Sequence, residues 1–157
     1  MISGVTVKVV PSRPVAVVRE YLRWSELGRR LIPLLDRVYV AVRAGKVVQT
    51  GQNVFIYRDA TREGANIEVG VEVGRRFALV GDVVYSETPA GEVATVTHTG
   101  PYSNLKEAHD AVMGWCRANG RAQTGTSWEV YGDWREDPAE LETEVCYALR
   151  PESRGSS

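Results

Sequence analysis

The sequence predicts an α+β fold built from two copies of a strand–helix–strand–strand module. Three observations predict it. Apolar residues at strand and helix spacing follow one another in the same order in both halves, matching residues recur at a fixed offset, and the composition is that of a globular protein. The chain has 157 residues, of which 43% are hydrophobic and 25% charged. This length suits one domain with a core of its own.

The first half contains two strand patterns, one helix pattern and two further strand patterns. The helix, predicted over residues 25–44, has its apolar residues at three- and four-residue spacing: Leu27, Leu31, Leu34, Leu35, Val38 and Val42. Pro33 predicts a kink or a fresh start within it, and Gly45 predicts its end. The strands are predicted at residues 5–10, 14–21, 54–58 and 66–73.

The second half repeats this order. A connecting strand is predicted at residues 77–86, followed by a strand at 92–98 and a helix at 103–119. Leu105, Ala108, Val112 and Trp115 form the apolar stripe of that helix, and Gly120 ends it. Two more strands are predicted at residues 128–133 and 141–149. Residues 151–157, which contain Pro, Gly and Ser, predict a disordered tail.

The two halves match each other at an offset of 74 residues. The matched pairs are Gly51 with Gly125, Ile56 with Val130, Tyr57 with Tyr131, Asp59 with Asp133, Ile67 with Leu141, Glu68 with Glu142 and Val71 with Val145. We interpret residues 1–150 as a single domain with one repeat at about 4–74 and the other at about 77–149. The interpretation predicts two antiparallel sheets, related by a pseudo-two-fold axis around a central ligand cleft.

Strand alternation predicts which residues face that cleft, if each helix covers one sheet face and leaves the other free. Glu142, Glu144, Cys146 and Ala148 then face the cleft, while Val145 and Tyr147 face the helix. Glu129 and Tyr131 face the cleft from the neighbouring strand. Their counterparts in the first half are Phe55, Tyr57, Glu68, Gly70 and Glu72.

The charge and the sparse cysteines and histidines argue against several classes of protein. A net charge of −1 without a basic stretch argues against nucleic-acid binding. No apolar run is long enough for a transmembrane helix, and the N-terminus lacks the layout of a signal peptide. Cys116 and Cys146 predict buried free thiols, and His98 and His109 suggest neither a metal site nor a catalytic triad. We therefore expect a cytoplasmic protein without a metal or cofactor.

One series of residues carries a family resemblance. Gly100-Pro101-Tyr102, a helix with Leu105 and Trp115, Gly120, the run Trp128-Glu129-Val130-Tyr131 with Asp133, and Glu142-Thr143-Glu144-Val145 occur in this order. The series resembles the GyrI-like small-molecule-binding family, which includes effector-binding domains of AraC-type and MerR-type multidrug regulators. The resemblance covers about residues 4–150. It implies a paired-module fold with a central ligand cleft, and a stand-alone member without a DNA-binding domain.

The resemblance also implies roles for particular residues. Drug-binding relatives contact cationic aromatic ligands through a central acidic residue, and the matching position is Glu144. Some stand-alone relatives resemble hydrolases that open strained cyclopropane rings with a Tyr and a Glu, which implies the pair Tyr131 and Glu144. The expected ligand-binding residues are Glu144, Tyr131, Tyr102, Tyr57, Phe55, Glu68, Cys146 and Trp115.

Each of these residues also has a structural interpretation. Glu144 suits a solvated strand position, and the same holds more strongly for Glu68, Glu72, Glu129 and Glu142. Tyr57, Tyr102 and Tyr131 suit strand or helix-start packing, and Trp115 and Trp128 suit the core. Trp24 and Trp134 lie at element ends, where they either cap the core or rim the cleft.

Three functional hypotheses follow. The first is a protein that binds a flat, hydrophobic or cationic aromatic ligand, for sensing or sequestering a drug or natural product. The second is a hydrolase that adds water to an electrophilic, cyclopropane-type natural product and so confers antibiotic resistance. The third is an interaction protein with a partner such as DNA gyrase. The chain is expected to be a monomer or a weak dimer.

Overall fold

Eight antiparallel strands and two helices make up the fold. The structure is a computed structural model and describes residues 1–152. The strands are β1 (Thr6–Val10), β2 (Pro14–Arg23), β3 (Gln49–Arg58), β4 (Gly64–Val73), β5 (Val84–Glu87), β6 (Gly91–Thr99), β7 (Gln123–Tyr131) and β8 (Glu142–Leu149). The predicted α+β class is confirmed. The tail predicted for 151–157 lies outside the described residues from 153 onward.

The helices are α1 (Leu27–Arg43) and α2 (Leu105–Ala118). The apolar stripes predicted for them are confirmed, since Leu34, Leu35 and Val38 of α1 are buried, as are Leu105, Ala108 and Val112 of α2. Helix α1 continues through Pro33 instead of starting afresh there. Pro33 lies on the exposed side of the helix, where the carbonyl that loses its helical partner can bond to water. No helix in the described chain is both long and apolar enough to cross a membrane.

All strands belong to one sheet, in the order β1-β6-β8-β7-β3-β4-β2-β5. The prediction of two separate sheets is therefore corrected. The two groups of four strands join where β3 pairs with β7, from Val54 opposite Val130 to Tyr57 opposite Ser127. This pairing satisfies backbone groups that two separate sheets would leave as open edges.

The two helices lie on the same face of the sheet, and each covers one of the two groups of four strands. Helix α1 packs on β2 and β4, and helix α2 packs on β6 and β8. Each helix forms a core cluster with the strands below it; Leu34 and Val69 belong to one cluster, Val112 and Val145 to the other. The central pair β3–β7 lies between the helices, so the helices leave the middle of their own face open.

The opposite face of the sheet is closed, although neither helix reaches it. A third cluster there contains Val15, Val17, Val54, Ile56, Val93, Trp128, Cys146 and Ala148. Each of these side chains is at most 6% exposed. The sheet therefore buries this face by its own twist and curvature. The prediction that the face away from the helices forms the ligand cleft is wrong for this reason.

Candidate functional site

A cavity of about 1330 Å³ lies between the two helices, above the central strand pair. Phe55 and Tyr57 of β3 and Glu129 and Tyr131 of β7 form its floor. The walls are mainly apolar and aromatic, and include Trp24, Leu27, Leu31, Leu35, Tyr102, Leu105, Met113 and Tyr147. A space of this size can hold a ligand of drug size.

Strand alternation brings the floor residues together. Phe55 lies directly opposite Glu129 in the β3–β7 pairing, and Tyr57 lies two residues further along β3, in diagonal reach of the same carboxylate. Tyr131 lies two residues after Glu129 on the same face. The residues between them, such as Ile56 and Val130, belong to the core of the opposite face.

Glu129 is the centre of a hydrogen-bond network at the bottom of the cavity. The hydroxyls of Tyr57 and Tyr131 each donate to its Oε1 over 2.7 Å. Its Oε2 lies 2.6 Å from Nε2 of His109, and Nδ1 of that imidazole lies 2.6 Å from the hydroxyl of Tyr147. Glu129 is only 5% exposed. Three donors on one buried carboxyl suit its ionised form, which accepts hydrogen bonds and donates none.

No lysine or arginine among residues 1–152 forms an ion pair with Glu129. Lys106 lines the cavity, but its Nζ pairs with Asp110 one helical turn away, at 2.9 Å. The partners of Glu129 are two phenols and an imidazole. The carboxylate is thus buried among hydrogen-bond donors, with no lysine or arginine of the described residues paired to it.

Burial and the carboxylate keep the phenols of the floor protonated. Desolvation is the largest cause that raises the pKa of Tyr57 and Tyr131 well above 10, and the charge of Glu129 is the second. Desolvation likewise raises the pKa of Tyr102. These hydroxyls therefore remain neutral donors throughout the physiological range of pH.

The aromatic rings contact one another around the cavity. Tyr131 lies 4.9 Å from Phe55 and 5.2 Å from Tyr102 between ring centroids, the latter pair edge to face. Trp24 lies 6.1 Å from Tyr57. These spacings are those of stable aromatic pairs, so the rings form a preformed wall. Trp134, at 73% exposure, lies on the rim.

The structure brings four of the predicted site residues together in this cavity: Phe55, Tyr57, Tyr102 and Tyr131. Their predicted roles as ligand contacts remain predictions, but the alternation that placed Phe55, Tyr57 and Tyr131 on one face agrees with the observed register.

Glu144 and Cys146 lie on the other face of the sheet. Glu144 is paired with Val130 across β7–β8, whereas Tyr131 is paired with Thr143, so Glu144 and Tyr131 point to opposite faces. The carboxylate of Glu144 binds Nζ of Lys8 at 2.8 Å and is partly exposed. Cys146 belongs to the third core cluster. The expected Tyr131–Glu144 pair is therefore corrected, because the open face is the one that carries the helices.

Glu68 and Trp115 also lie away from the cavity. Glu68 is buried on the closed face, where Nε of Arg19 and Nε of Arg58 approach its carboxylate at 2.7 and 3.1 Å. Trp115 packs against the core cluster under α2. Trp115 thus has the core position of its structural interpretation. The solvated position expected for Glu68 is wrong, because its side chain is buried and paired with two arginines.

The sequence does not identify two residues of the site, His109 and Tyr147, and favours a solvated strand position for a third, Glu129. His109 received no role, although it lies four residues from both Leu105 and Met113 and so on the buried side of α2. Tyr147 was assigned to the helix side of β8, which is the side that also holds the cavity. A histidine on an apolar stripe and a carboxylate between two aromatic strand residues were the available signals.

Within the described part of the chain, no group of three or more His, Cys, Asp or Glu side chains is placed to hold a metal ion. The polar groups of the cavity floor are hydrogen-bonded to one another, and they also line the cavity. They therefore place one carboxylate and several hydroxyl groups beside any ligand that enters it. Such a floor can bind a cation or move a proton at a bound molecule.

Solved structures with the same fold include the C-terminal domain of EcmrR, a ligand complex and a hydrolase. The C-terminal domain of EcmrR matches with a TM-score of 0.77 and 24% identity, over 93% of this chain and 96% of that one. SAV2435 bound to tetraphenylphosphonium matches with a TM-score of 0.72 and 9% identity, over 95% of each chain. A hydrolase encoded by lin2189 from Listeria innocua matches with a TM-score of 0.63 and 12% identity, over 94% and 92%. At these identities the likeness shows the fold. Among curated proteins there is no match.

A family model covers nearly the whole sequence. The model of the GyrI-like small molecule binding domain matches residues 4–150, which include both helices, all eight strands from Thr6 to Leu149 and every residue of the cavity floor. The residues that carried the resemblance in the sequence lie within the same range. The chain therefore belongs to the GyrI-like small molecule binding domain family.

Proposed function

We propose that the chain binds lipophilic cations in the cavity between its helices, and senses or sequesters a drug or natural product by doing so. The observation that carries the proposal is the environment of Glu129. Its buried carboxylate is hydrogen-bonded by two phenols and an imidazole, and no lysine or arginine of the described chain is paired with it. An ionised carboxyl in a largely apolar cavity is costly to desolvate. A cationic ligand offsets that cost, and the surrounding rings add about 0.5–2 kcal/mol for each well-placed cation–π contact.

The hydrogen-bond count narrows the kind of cation. A carboxylate offers about four acceptor positions. The phenols of Tyr57 and Tyr131 use both positions of Oε1, and His109 uses one on Oε2. One position remains, which is too few for an ammonium group with three N–H donors. We infer a preference for phosphonium, quaternary ammonium or delocalised aromatic cations. The complex of SAV2435 with tetraphenylphosphonium supports this choice of ligand class.

Calorimetry with tetraphenylphosphonium tests the proposal. The Glu129→Gln variant keeps one acceptor oxygen but removes the charge, and is expected to weaken binding about 10- to 100-fold, the equivalent of roughly 1.5–3 kcal/mol. Glu144→Gln is the matched control, because that carboxylate lies on the other face of the sheet beside Lys8. It should leave the Kd unchanged. Absence of binding by the wild-type protein, or equal losses in the two variants, overturns the proposal.

A hydrolase is the second candidate, favoured by the 2.7 Å contact between Tyr131 and Glu129. In this reaction a water oxygen forms a bond to a carbon of a strained ring and gives its proton to Glu129. The ring bond breaks, the departing atom takes a proton from the Tyr131 hydroxyl, and Glu129 then returns its proton to the Tyr131 phenolate. The named hydrolase of the same fold is compatible with such a role. The Tyr131–Glu129 pair replaces the pair expected from the sequence.

Mass spectrometry after incubation with a strained-ring electrophile such as styrene oxide distinguishes the two functions. A hydrolase converts the epoxide to its diol, and Tyr131→Phe reduces the rate about 100-fold or more while ligand binding persists. With a protein that only binds the epoxide, the diol forms no faster than in the buffer control. That outcome excludes hydrolysis of this substrate class.

The two halves are proposed to be copies of one module related by a pseudo-two-fold axis through β3–β7. Two facts support this. Each half supplies a strand–helix–strand–strand series, and Tyr57 and Tyr131, which match at the 74-residue offset, donate to the same oxygen of Glu129.

A cytoplasmic location suits the two free, buried cysteines. A gyrase-like protein partner and the monomer or weak-dimer state stay predictions, which pull-down and sedimentation experiments test.

A further inference from the structure

His109 borders the cavity beside the buried carboxylate of Glu129. Its imidazole lies between two hydrogen-bonding groups, with Nε2 2.6 Å from Oε2 of Glu129 and Nδ1 2.6 Å from the hydroxyl of Tyr147. The side chain of His109 is 18% exposed, so it borders the cavity and is not sealed in the core. Glu129 supplies the negative charge of the proposed function, and His109 is its nearest titratable neighbour with a positive form.

Two proton arrangements fit the same positions of the heavy atoms. With a neutral imidazole, Nε2–H donates to Glu129 and Nδ1 accepts from the Tyr147 hydroxyl. With a charged imidazolium, both nitrogens donate, and the hydroxyl oxygen of Tyr147 accepts. The first arrangement gives the His109–Glu129 pair a charge of −1, and the second a charge of zero. A change between them adds or removes one proton at Nδ1 and rotates the Tyr147 hydroxyl, while the heavy atoms keep their positions.

The other titratable groups around this imidazole come from four elements. Tyr57 lies on β3, Glu129 and Tyr131 on β7 and Tyr147 on β8, and α2 itself adds the paired side chains Lys106 and Asp110. Burial is the first cause that raises the pKa of Tyr57, Tyr131 and Tyr147, so the three phenols stay neutral. An imidazole is the side chain that ordinarily changes its charge between pH 5 and 8.

We propose that His109 sets the charge specificity of the cavity, so that binding of a cation is coupled to the release of one proton from this imidazole. The inference rests on the proposed function. A ligand cation beside Glu129 meets a neutral imidazole without repulsion, but an imidazolium would compete with it for the same carboxylate. At acid pH the neutral His109–Glu129 pair instead accepts an uncharged aromatic ligand. By linkage, the proton and the cation exclude each other to the same extent.

Titration of tetraphenylphosphonium binding between pH 5 and 9 tests the coupling. The Kd for the wild-type protein is expected to rise about tenfold for each pH unit on the acid side of the transition. Calorimetry in phosphate and in Tris, whose heats of ionisation differ, then reports up to one proton released for each cation bound. Uncharged triphenylphosphine oxide serves as the second ligand and should show no such rise.

The His109→Gln variant separates a titrating role from a structural one. Its amide can still donate to Glu129 but takes up no proton, so its Kd for tetraphenylphosphonium should be independent of pH. Glu144→Gln is the control and should retain the wild-type pH profile, and circular dichroism verifies that each variant is folded. A pH-independent Kd for the wild-type protein, or an unchanged profile in His109→Gln, overturns this inference and leaves the proposed function intact. Failure of the wild-type protein to bind the cation at any pH overturns both.

Discussion

The hydroxyl of Tyr57 and the carboxylate of Glu129 meet at 2.7 Å, although 72 residues separate them in the chain. Their contact crosses β3–β7, the strand pair that joins the two groups of four strands. Both side chains are at most 5% exposed. The bond therefore satisfies a buried acceptor of the candidate site and at the same time links the two halves of the fold.

Removal of this hydroxyl is expected to reduce stability. Tyr57→Phe keeps the ring but takes one donor from the buried carboxylate, which should lower the free energy of unfolding by about 1–3 kcal/mol. Urea denaturation followed by fluorescence measures the change. Tyr21→Phe is the control, because Tyr21 also lies on a strand but is 52% exposed. Equal changes in the two variants would contradict the prediction.

Stability is also expected to fall at alkaline pH. The pKa of Tyr57 and Tyr131 is raised in the folded protein, first by burial and then by Glu129, so the folded state holds these protons more tightly than the unfolded state does. Below about pH 10 the two tyrosines are protonated in both the folded and the unfolded state, so they add no pH dependence to stability. Above it only the unfolded chain releases the protons, and each tyrosine costs up to about 1.4 kcal/mol per pH unit. Urea midpoints from pH 9 to 11.5 measure this decline, which should be shallower in Tyr57→Phe. A constant midpoint would refute the assignment.

Alternation in the sequence identified which residues of one strand share a face of the sheet. It did not show how neighbouring strands align or which face is open, and it wrongly placed Glu144 on the face of Tyr131. It correctly grouped Phe55 with Tyr57 and Glu129 with Tyr131, because side chains of a strand alternate whatever covers them. It could not show that the face with Ile56 and Trp128 closes on itself. That closure depends on the twist of eight strands joined through β3–β7, which is a property of the whole sheet and not of any one segment.

The central residues of the site were harder to predict for a different reason. Glu129 and His109 are 20 residues apart and on different elements, so only the packing of α2 beside β7 brings Nε2 and Oε2 together. The resemblance pointed to Glu144, which is an acidic residue on the neighbouring strand with the opposite orientation. A family motif places the strand, and the register of a single residue decides which face its carboxylate takes.

Both cysteines are expected to be unreactive in the folded protein. Burial, followed by the charge of Glu144, raises the pKa of the Cys146 thiol to about 12, and burial also raises that of Cys116. Since the thiolate is the nucleophile, iodoacetamide at pH 8 should leave both unmodified in the native state and alkylate both in urea. Mass spectrometry counts the added groups. Rapid native alkylation of Cys146 would show that β8 opens locally or that the thiol is not buried.

Two glycine-to-alanine substitutions are expected to change stability in opposite directions. At Gly70 of β4, an added Cβ would lie 1.7 Å from the carbonyl oxygen of Ala16, so the backbones of β4 and β2 would have to separate. Gly70→Ala should cost about 3 kcal/mol or more, or prevent folding.

Gly114 lies within α2 with no atom within 4 Å of an added Cβ. Gly114→Ala should therefore raise stability by about 0.5–1 kcal/mol, because alanine loses less conformational entropy in a helix. Thermal melts of the two variants beside the wild-type protein provide the comparison. Unchanged melting of Gly70→Ala would contradict the observed register of β2 and β4. It would also contradict the position of β3 in the cavity floor, because β3 pairs with β4.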